Sequence, residues 1–346
     1  MKKGNPFTLT FGKTPNEYIS RYETTHTIIS TFEAENPVSQ IYLIEGIRGS
    51  GKTVLMTTVT KELADKEEWI VIDLNSTQDL IRDFALRLSD TCKKIPDLMK
   101  AGFNVSIAGF GVGINGGNSD YDHVSIIEEV LTSLKEKSKK VIVTIDEVMH
   151  DQNMKYFASE FQILLRKDYP VFLLMTGLYE NIYAVQNDPA LTFLLRTPKI
   201  RLEPLSIPQI ARQYQYIFKT DKETAKELAE ITKGYAFAFQ ALGMLYYEFW
   251  DSETLDEILV KLDDMLEDFV YKKIWETLSA QDKRIVRAVS DQSRKVKDIC
   301  TELSMTASTF SKYRERLMQR GIMISPQYGF IMLSLPRFSV FAEAYE

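Results

Sequence analysis

The chain has 346 residues, of which 45% are hydrophobic and 26% are charged, so we expect a soluble globular protein of two or three domains. Its two cysteines, Cys92 and Cys300, are far apart, which excludes a disulfide framework and favours a reducing, cytoplasmic location. No apolar run approaches membrane-spanning length, and residues 4–6 interrupt any signal-peptide pattern, so no membrane partner is expected.

The net charge of −6 is unevenly distributed along the chain. Residues 271–346 carry 13 basic and 8 acidic residues, a net charge of +5. The rest of the chain carries 29 basic and 40 acidic residues, a net charge of −11. A basic C-terminal segment on an acidic body indicates a polyanionic partner.

Short apolar runs alternate with helical patterns over the first 203 residues, which predicts an α/β domain with a parallel sheet. The three middle runs are apolar at almost every position, as is typical of strands buried on both faces. The predicted strands are Ile41–Glu45, Trp69–Leu74, Val141–Ile145, Val171–Met175 and Lys199–Leu202. The predicted helices lie near residues 52–65, 76–92, 122–138 and 155–167.

Beyond residue 203 the strand pattern stops. Residues 204–270 are predicted to be helical, because Ser206–Gln209 and Thr220–Glu223 both match the capping box that begins a helix. Residues 271–346 are predicted to form three helices and then a β-hairpin, which is the element order of a winged helix-turn-helix. The helices are expected near residues 280–289, 295–303 and 307–320. The chain therefore divides into segments 1–203, 204–270 and 271–346.

Residues 46–53, with the sequence GIRGSGKT, match the phosphate-binding loop (P-loop) at every defined position. In such a loop the glycines let backbone N–H groups surround phosphate oxygens, and the lysine neutralises charge on the β- and γ-phosphates of ATP. The predicted nucleotide contacts are Gly46, Arg48, Gly49, Ser50, Gly51, Lys52, Thr53 and Val54, with Thr53 also a ligand of Mg²⁺. The alternative is a chance glycine turn, which the flanking strand and helix disfavour.

An acidic pair follows the third predicted strand. Asp146 is predicted to hold Mg²⁺, and Glu147 to activate the attacking water as a general base. The alternative is a solvated acidic loop. Thr176, at the tip of the next strand, is predicted to orient that water or to contact the γ-phosphate; the alternative is a helix cap or turn residue.

A second glycine motif, Gly111–Gly116, fits the dinucleotide fingerprint GxGxxG. That fingerprint should open a helix, whereas polar residues 117–120 follow here. A glycine-rich surface hairpin over Phe103–Ile114 is the better interpretation.

These motifs resemble the AAA+-type ATPases of the origin-recognition and archaeal-ATPase group, on the border of the STAND signalling ATPases. The resemblance covers almost the whole chain. It implies a P-loop ATPase core with strand order 5-1-4-3-2, a helical lid at residues 204–270 and a C-terminal winged helix. It also implies that a leader segment lies near the adenine, with Asn5, Pro6, Phe7 and Arg21 as its contacts.

The resemblance also identifies two elements that act on nucleotide in this group. Phe193–Arg196 is similar to the stretch that often holds an arginine finger, so Arg196 is expected to reach a neighbouring subunit's γ-phosphate; the alternative is a surface arginine paired to an acid. Thr232–Tyr235 is similar to the lid segment that is usually Gly-x-Pro, but Ala236 stands where proline is expected.

In the last predicted helix, Phe310, Tyr313 and Leu317 share helical spacing and are expected to face the core. The remaining faces carry the candidate contacts to double-stranded DNA, which are Ser308, Thr309, Ser311, Lys312, Arg316 and Arg320. The alternative is a winged helix that binds protein through a solvated basic face.

The sequence therefore predicts a slow ATPase, with ATP and Mg²⁺ as cofactors, whose nucleotide state controls DNA binding by the winged helix. The rival hypothesis is a STAND-like, nucleotide-switched regulator whose winged helix binds a regulatory protein. A homo-oligomer is compatible with both. A small-molecule kinase is disfavoured, because no acceptor site is recognisable.

Overall fold

The computed structural model of the chain describes residues 4–10, 15, 17–93 and 123–345. The chain forms two compact units, each with its own hydrophobic core. The sheet unit contains residues 22–45 and 55–200, and the lid unit contains residues 1–21, 46–54 and 201–346. The predicted hairpin and its glycine motif lie outside the described residues.

The sheet unit is built on five parallel strands. They are β1 (Ile41–Glu45), β2 (Trp69–Leu74), β3 (Lys140–Ile145), β4 (Val171–Gly177) and β5 (Lys199–Arg201). Their order is β2-β3-β4-β1-β5, which confirms the expected arrangement. The strands β1 and β4 are buried at every residue, as their continuous apolar runs require.

Helices connect these strands. They are α1 (Tyr22–Glu33), α2 (Lys52–Ala64), α3 (Leu80–Cys92), α4 (His123–Glu136), α5 (Gln152–Arg166) and α6 (Tyr179–Gln186). The helix α3 begins four residues later than predicted, because Asp79 is its N-cap and accepts a hydrogen bond from the backbone N–H of Arg82. Asp151 caps α5 in the same way, through the N–H of Met154.

Four helices of the lid unit follow the sheet in the chain: α7 (Ile207–Phe218), α8 (Lys222–Ile231), α9 (Ala236–Phe249) and α10 (Leu255–Leu266). Both predicted capping boxes are wrong in detail. The Ser206 side chain makes no cap hydrogen bond, and Asp221 rather than Thr220 caps α8, because its carboxylate accepts from two backbone N–H groups at once. A complete box is found at α10, between Thr254 and Glu257.

The C-terminal region, residues 271–345, continues from α10 without a break. A π-helical turn at Glu267–Tyr271 joins α10 to α11 (Lys272–Glu276), so one helical run extends from Leu255 to Glu276. The expected helices follow as α12 (Ala280–Ala288), α13 (Val296–Glu302) and α14 (Ala307–Gln319). The hairpin strands β7 (Met323–Ile324) and β8 (Phe330–Leu333) pair with each other, and β8 also pairs with β6 (Arg294–Lys295), in the order β6-β8-β7.

A last helix, α15 (Phe338–Ala344), was not predicted from the sequence. It packs onto the helical run, where Tyr271 and Trp275 contact Phe338 and Phe341 with ring centroids 4.8–6.3 Å apart. Each such buried ring stabilises the fold by about 1.5–3 kcal/mol. Lid helices and C-terminal region therefore share one hydrophobic core.

Within the part of the chain that the structure describes, no helix combines the length and the apolar character that crossing a membrane requires.

Candidate functional site

The P-loop connects β1 to α2. Gly49 and Gly51 have φ angles of +77° and +93°, a region that glycine enters without steric cost. Lys52 is only 7% exposed, and its ammonium group donates to the carbonyl oxygens of Gly46 at 3.0 Å and Ile47 at 3.1 Å. A cation is thus held inside a curved loop of backbone amides, which is an arrangement that attracts phosphate.

Two further features mark this loop as an anion site. The Ser50 hydroxyl is buried and has no hydrogen-bond partner among the described residues. The Arg21 guanidinium lies beside the loop and donates to the Ser50 carbonyl at 3.4 Å. Burial lowers the pKa of Arg21, and the charge of Glu203 partly opposes that shift.

The acidic pair lies directly after β3 and is tied to the neighbouring strand β4. The Thr176 hydroxyl is fully buried and donates to the Asp146 carboxylate. The same hydroxyl accepts from the backbone N–H of Glu147 at 3.3 Å, and the Glu147 φ angle is +53°. This unusual backbone angle is maintained by the Thr176 contacts, and strain of this kind concentrates at functional sites. The Glu147 side chain is exposed.

The strand registers place three strand ends of the sheet unit side by side. In the register of β1 and β4, Ile44 pairs with Thr176, two residues before the P-loop begins. In the register of β3 and β4, Ile145 pairs with Met175. The carboxyl ends of β1, β3 and β4 are neighbours, and open α/β sheets bind ligands at that edge.

The leader residues lie on the lid rather than in an open pocket. Phe7 is 3% exposed, and its ring packs against Tyr214, Phe218 and Phe239. The Asn5 amide donates to the Met244 carbonyl at 3.0 Å. Phe7 is therefore a core residue of the lid unit, where its ring is not available for stacking on a base. Pro6 is half-buried.

Sequence reasoning missed Tyr235. Its hydroxyl donates to the Arg48 carbonyl at 2.6 Å, and burial raises the pKa of this phenol. The N–H of Phe237 donates to the Gly49 carbonyl at 3.0 Å. No local sequence pattern predicts these two hydrogen bonds, since they join residues almost 190 positions apart. The only sequence feature that sets Tyr235 apart is its place in Gly234–Ala236, where the resembling ATPases usually have Gly-x-Pro.

Arg196 ends a 3₁₀ helix, Thr192–Arg196, immediately before β5. Its side chain is exposed, whereas Gln186 holds the backbone of the segment by donating to the carbonyl groups of Leu194 and Thr197. The structure thus presents Arg196 on the surface from a firmly anchored turn.

The candidate DNA contacts fall into two groups. Ser308, Thr309, Ser311 and Lys312 are exposed on α14, and Phe310 and Leu317 face the core as expected. Arg316 instead forms an ion pair with Asp282, and Arg320 donates to Thr277. Burial acts to raise the pKa of Asp282, but hydrogen bonds from Arg316 and Ser279 outweigh it and leave that pKa below its usual value.

Residues 268–342 match a family described as a domain of unknown function (DUF8462). No curated protein matches this chain in sequence. The family match therefore lies within the C-terminal region and does not include the P-loop or the sheet.

Solved structures match almost the whole chain. The Walker-type ATPase PABY2304 of Pyrococcus abyssi is 13% identical, with a TM-score of 0.65 over 94% of this chain and 96% of that one. The Aeropyrum pernix ORC2 protein, solved as ADPNP–ADP complexes, is 14% identical, with a TM-score of 0.59 over 96% of both chains. Cdc6p of Pyrobaculum aerophilum is 14% identical, with a TM-score of 0.50 over 96% and 95%. The resemblance is therefore confirmed at the level of the fold: this chain has the same fold as the Walker-type ATPase PABY2304 and the ORC2 protein.

Proposed function

We propose that this protein binds ATP with Mg²⁺ and hydrolyses it slowly, and that its nucleotide state controls DNA binding by a winged helix at residues 271–346. The observation that carries the ATPase proposal is the loop of positive-φ glycines closed around buried Lys52. In the sheet unit, Thr176 holds Asp146 and Glu147 at the end of β3.

The chain supplies each contact that a triphosphate needs. Backbone N–H groups of the loop and the Ser50 hydroxyl would donate to phosphate oxygens, and Lys52 would exchange its two carbonyl partners for the β- and γ-phosphates. Mg²⁺ is commonly held by one or two protein oxygens together with phosphates and water, and the Thr53 hydroxyl and Asp146 carboxylate fit that donor set. When bound, the ion neutralises charge on the phosphate oxygens.

Hydrolysis depends on Glu147. An exposed carboxylate after a buried strand is able to accept a proton from a water that attacks the γ-phosphate. Thr176 acts through the backbone, because its hydroxyl orients both the Asp146 carboxylate and the Glu147 peptide. Asn5 and Pro6 would fix the leader beside the adenine, and Arg21 would face the loop.

Two substitutions separate binding from hydrolysis. Lys52→Ala should abolish tight ATP binding in calorimetry, because the loop loses its main positive charge. Glu147→Gln should leave binding unchanged and lower turnover by about 10²–10⁴-fold, because only the base is removed. Hydrolysis by Glu147→Gln at the wild-type rate would refute the assignment of the base.

DNA binding rests on the net charge of +5 in residues 271–346 and on the exposed start of α14. If about 4 phosphates are neutralised, log K should fall against log salt with a slope near −3.6. Lys312→Ala should flatten that slope by about one unit for all DNA sequences. Changes at Ser308 or Thr309 should instead alter sequence preference. Ser311 faces the same solvent side.

A second candidate function has its own support. The tip of the β7–β8 hairpin carries no basic residue, Tyr328 is fully exposed, and Ile324 is 42% exposed. A hairpin tip without cations offers no charge to DNA phosphates, which favours a STAND-like regulator whose winged helix binds a regulatory protein. Absence of DNA binding by the folded chain at low salt would make this the leading function. The free thiols of Cys92 and Cys300 support a cytoplasmic location under either proposal.

A further inference from the structure

The turn between α8 and α9, residues 232–235, has a tightly constrained shape. Lys233 and Gly234 have φ angles of +47° and +75°. The Gly234 carbonyl accepts from the Leu205 N–H at 2.7 Å, and a Cβ on Gly234 would overlap the Leu205 carbonyl oxygen. The backbone of this turn is therefore closely packed and hydrogen-bonded against Leu205.

On one side of the turn, Lys233 contacts the C-terminal region. The Lys233 ammonium group pairs with Asp291 at 2.9 Å and donates to the Leu333 and Leu335 carbonyls at 3.0 and 3.4 Å. Ser339 donates to the other oxygen of Asp291, so the pair is held from both ends. One lysine thus joins the loop after α12, the end of β8 and the start of α15.

On the other side of the turn, two hydrogen bonds reach the P-loop. Tyr235 donates to the Arg48 carbonyl, and Phe237 donates to the Gly49 carbonyl. A trans peptide directs its C=O and N–H oppositely, so a bond that fixes the Arg48 carbonyl toward Tyr235 directs the Gly49 N–H away from it. A Cβ on Gly49 would overlap the Tyr235 hydroxyl, which leaves no room for the turn to approach more closely.

We propose that Lys233 and Tyr235 are positioning residues that couple the P-loop to the C-terminal region, by a relay only three residues long. The inference rests on the proposed function for its ligand: phosphates that draw the Gly49 N–H rotate the Arg48 peptide, and the rotation reaches Asp291 through Tyr235 and Lys233. It names the residues that would connect nucleotide state to the winged helix.

The coupling is testable without nucleotide, by amide hydrogen exchange on the full chain. Lys233→Met should speed exchange about fivefold in residues 290–295 and also in residues 47–51, and Tyr235→Phe should do the same in both places. Lys233→Arg should restore wild-type exchange, because it keeps the ion pair. Matched controls are Lys226→Met, which removes a lysine paired to Glu230 on the same helix, and Tyr216→Phe on an exposed face of α7.

Effects confined to the side of the turn that each substitution touches would overturn the inference. The nucleotide arm then tests the proposed function separately. A non-hydrolysable ATP analogue should slow exchange in residues 290–295 of the wild type, and both variants should lose that response and bind the analogue about fivefold more weakly. A wild type that binds no analogue refutes the proposed ATPase, while the nucleotide-free arm still decides the coupling.

Discussion

Thr176 illustrates how a single hydroxyl organises the acidic pair. It lies on β4, donates to Asp146 and accepts from the N–H of Glu147, whose backbone it stabilises at φ +53°. The sequence alone offers Thr176 as a cap, a turn residue or a contact to phosphate. The structure places it between the two acids, which favours a positioning role over direct contact with the nucleotide.

Replacement of Thr176 by valine keeps the shape and removes the hydroxyl. Hydrolysis should fall about tenfold with unchanged affinity for ATP, because two hydrogen bonds worth about 1 kcal/mol each no longer orient the acids. Single-turnover kinetics and calorimetry measure the two effects. The matched control is Thr144→Val, which removes the buried hydroxyl that bonds Asp73 on β2. Equal losses of turnover in both variants would contradict the role of Thr176.

Arg316 changes from a predicted DNA contact to a structural residue. Arg316→Ala should destabilise the chain by about 1 kcal/mol, a modest value because nearly half of its side chain is exposed and screened. The pKa of Asp282 is depressed in the folded state, so its stabilisation is complete above its unfolded pKa of about 3.9 and is lost as the pH falls through the folded value. Chemical denaturation of wild type and variant should therefore converge below about pH 4. A difference that is constant with pH would argue against the ion pair.

Residues whose role is set by local sequence were predictable, and residues whose role depends on a distant partner were not. A contiguous loop pattern predicts the place of Lys52, and the structure puts its ammonium group against the Gly46 and Ile47 carbonyls. The pairing of Arg316 with Asp282 and the burial of Phe7 between lid helices depend on tertiary packing. Helical periodicity predicted Phe310 and Leu317 as core residues. Periodicity does not show which of the basic side chains on the other faces form ion pairs.

At the scale of elements, long apolar runs predicted β1, β3 and β4 within two residues, because strands buried on both faces admit little else. The helix α15 was missed because its seven residues are too few to display a period. The apolar residues of α15 are explained by their packing on Tyr271 and Trp275 of the helical run, which lie about 65 positions earlier in the chain.

The shared core predicts how fragments behave. A fragment of residues 271–346 loses the Arg337–Asp263 and Lys233–Asp291 ion pairs, together with the lid side of the common core. A fragment of residues 201–346 keeps both ion pairs and all of the buried core residues except Phe7. The longer fragment should unfold cooperatively, with a melting temperature at least about 10 °C higher by circular dichroism. The shorter fragment lacks several kcal/mol of stabilisation, and each kcal/mol shifts the melting temperature of a small domain by about 4–8 °C. Equal melting temperatures would show that residues 271–346 fold independently of the lid.

For the whole molecule, the open question is whether one chain completes its own site. Arg196 is exposed on an anchored turn, as a finger offered to a neighbour would be. Arg196→Ala and Glu147→Gln should each be inactive alone, and a mixture should recover part of the activity, because each variant supplies what the other lacks. Light scattering with ATP gives the assembly state. A monomer that is fully active at every concentration would rule out the finger.

The unbroken helix from Leu255 to Glu276 gives the molecule a lever. Its 22 residues are about 30 Å long, so a tilt of about 5° at the lid end displaces the other end by nearly 3 Å. A flexible tether would let the C-terminal region search for a partner while the lid stays still. A rigid lever removes that freedom: whatever the C-terminal region binds is held at a distance and angle that the lid dictates, and its capture pulls back on the lid with equal effect.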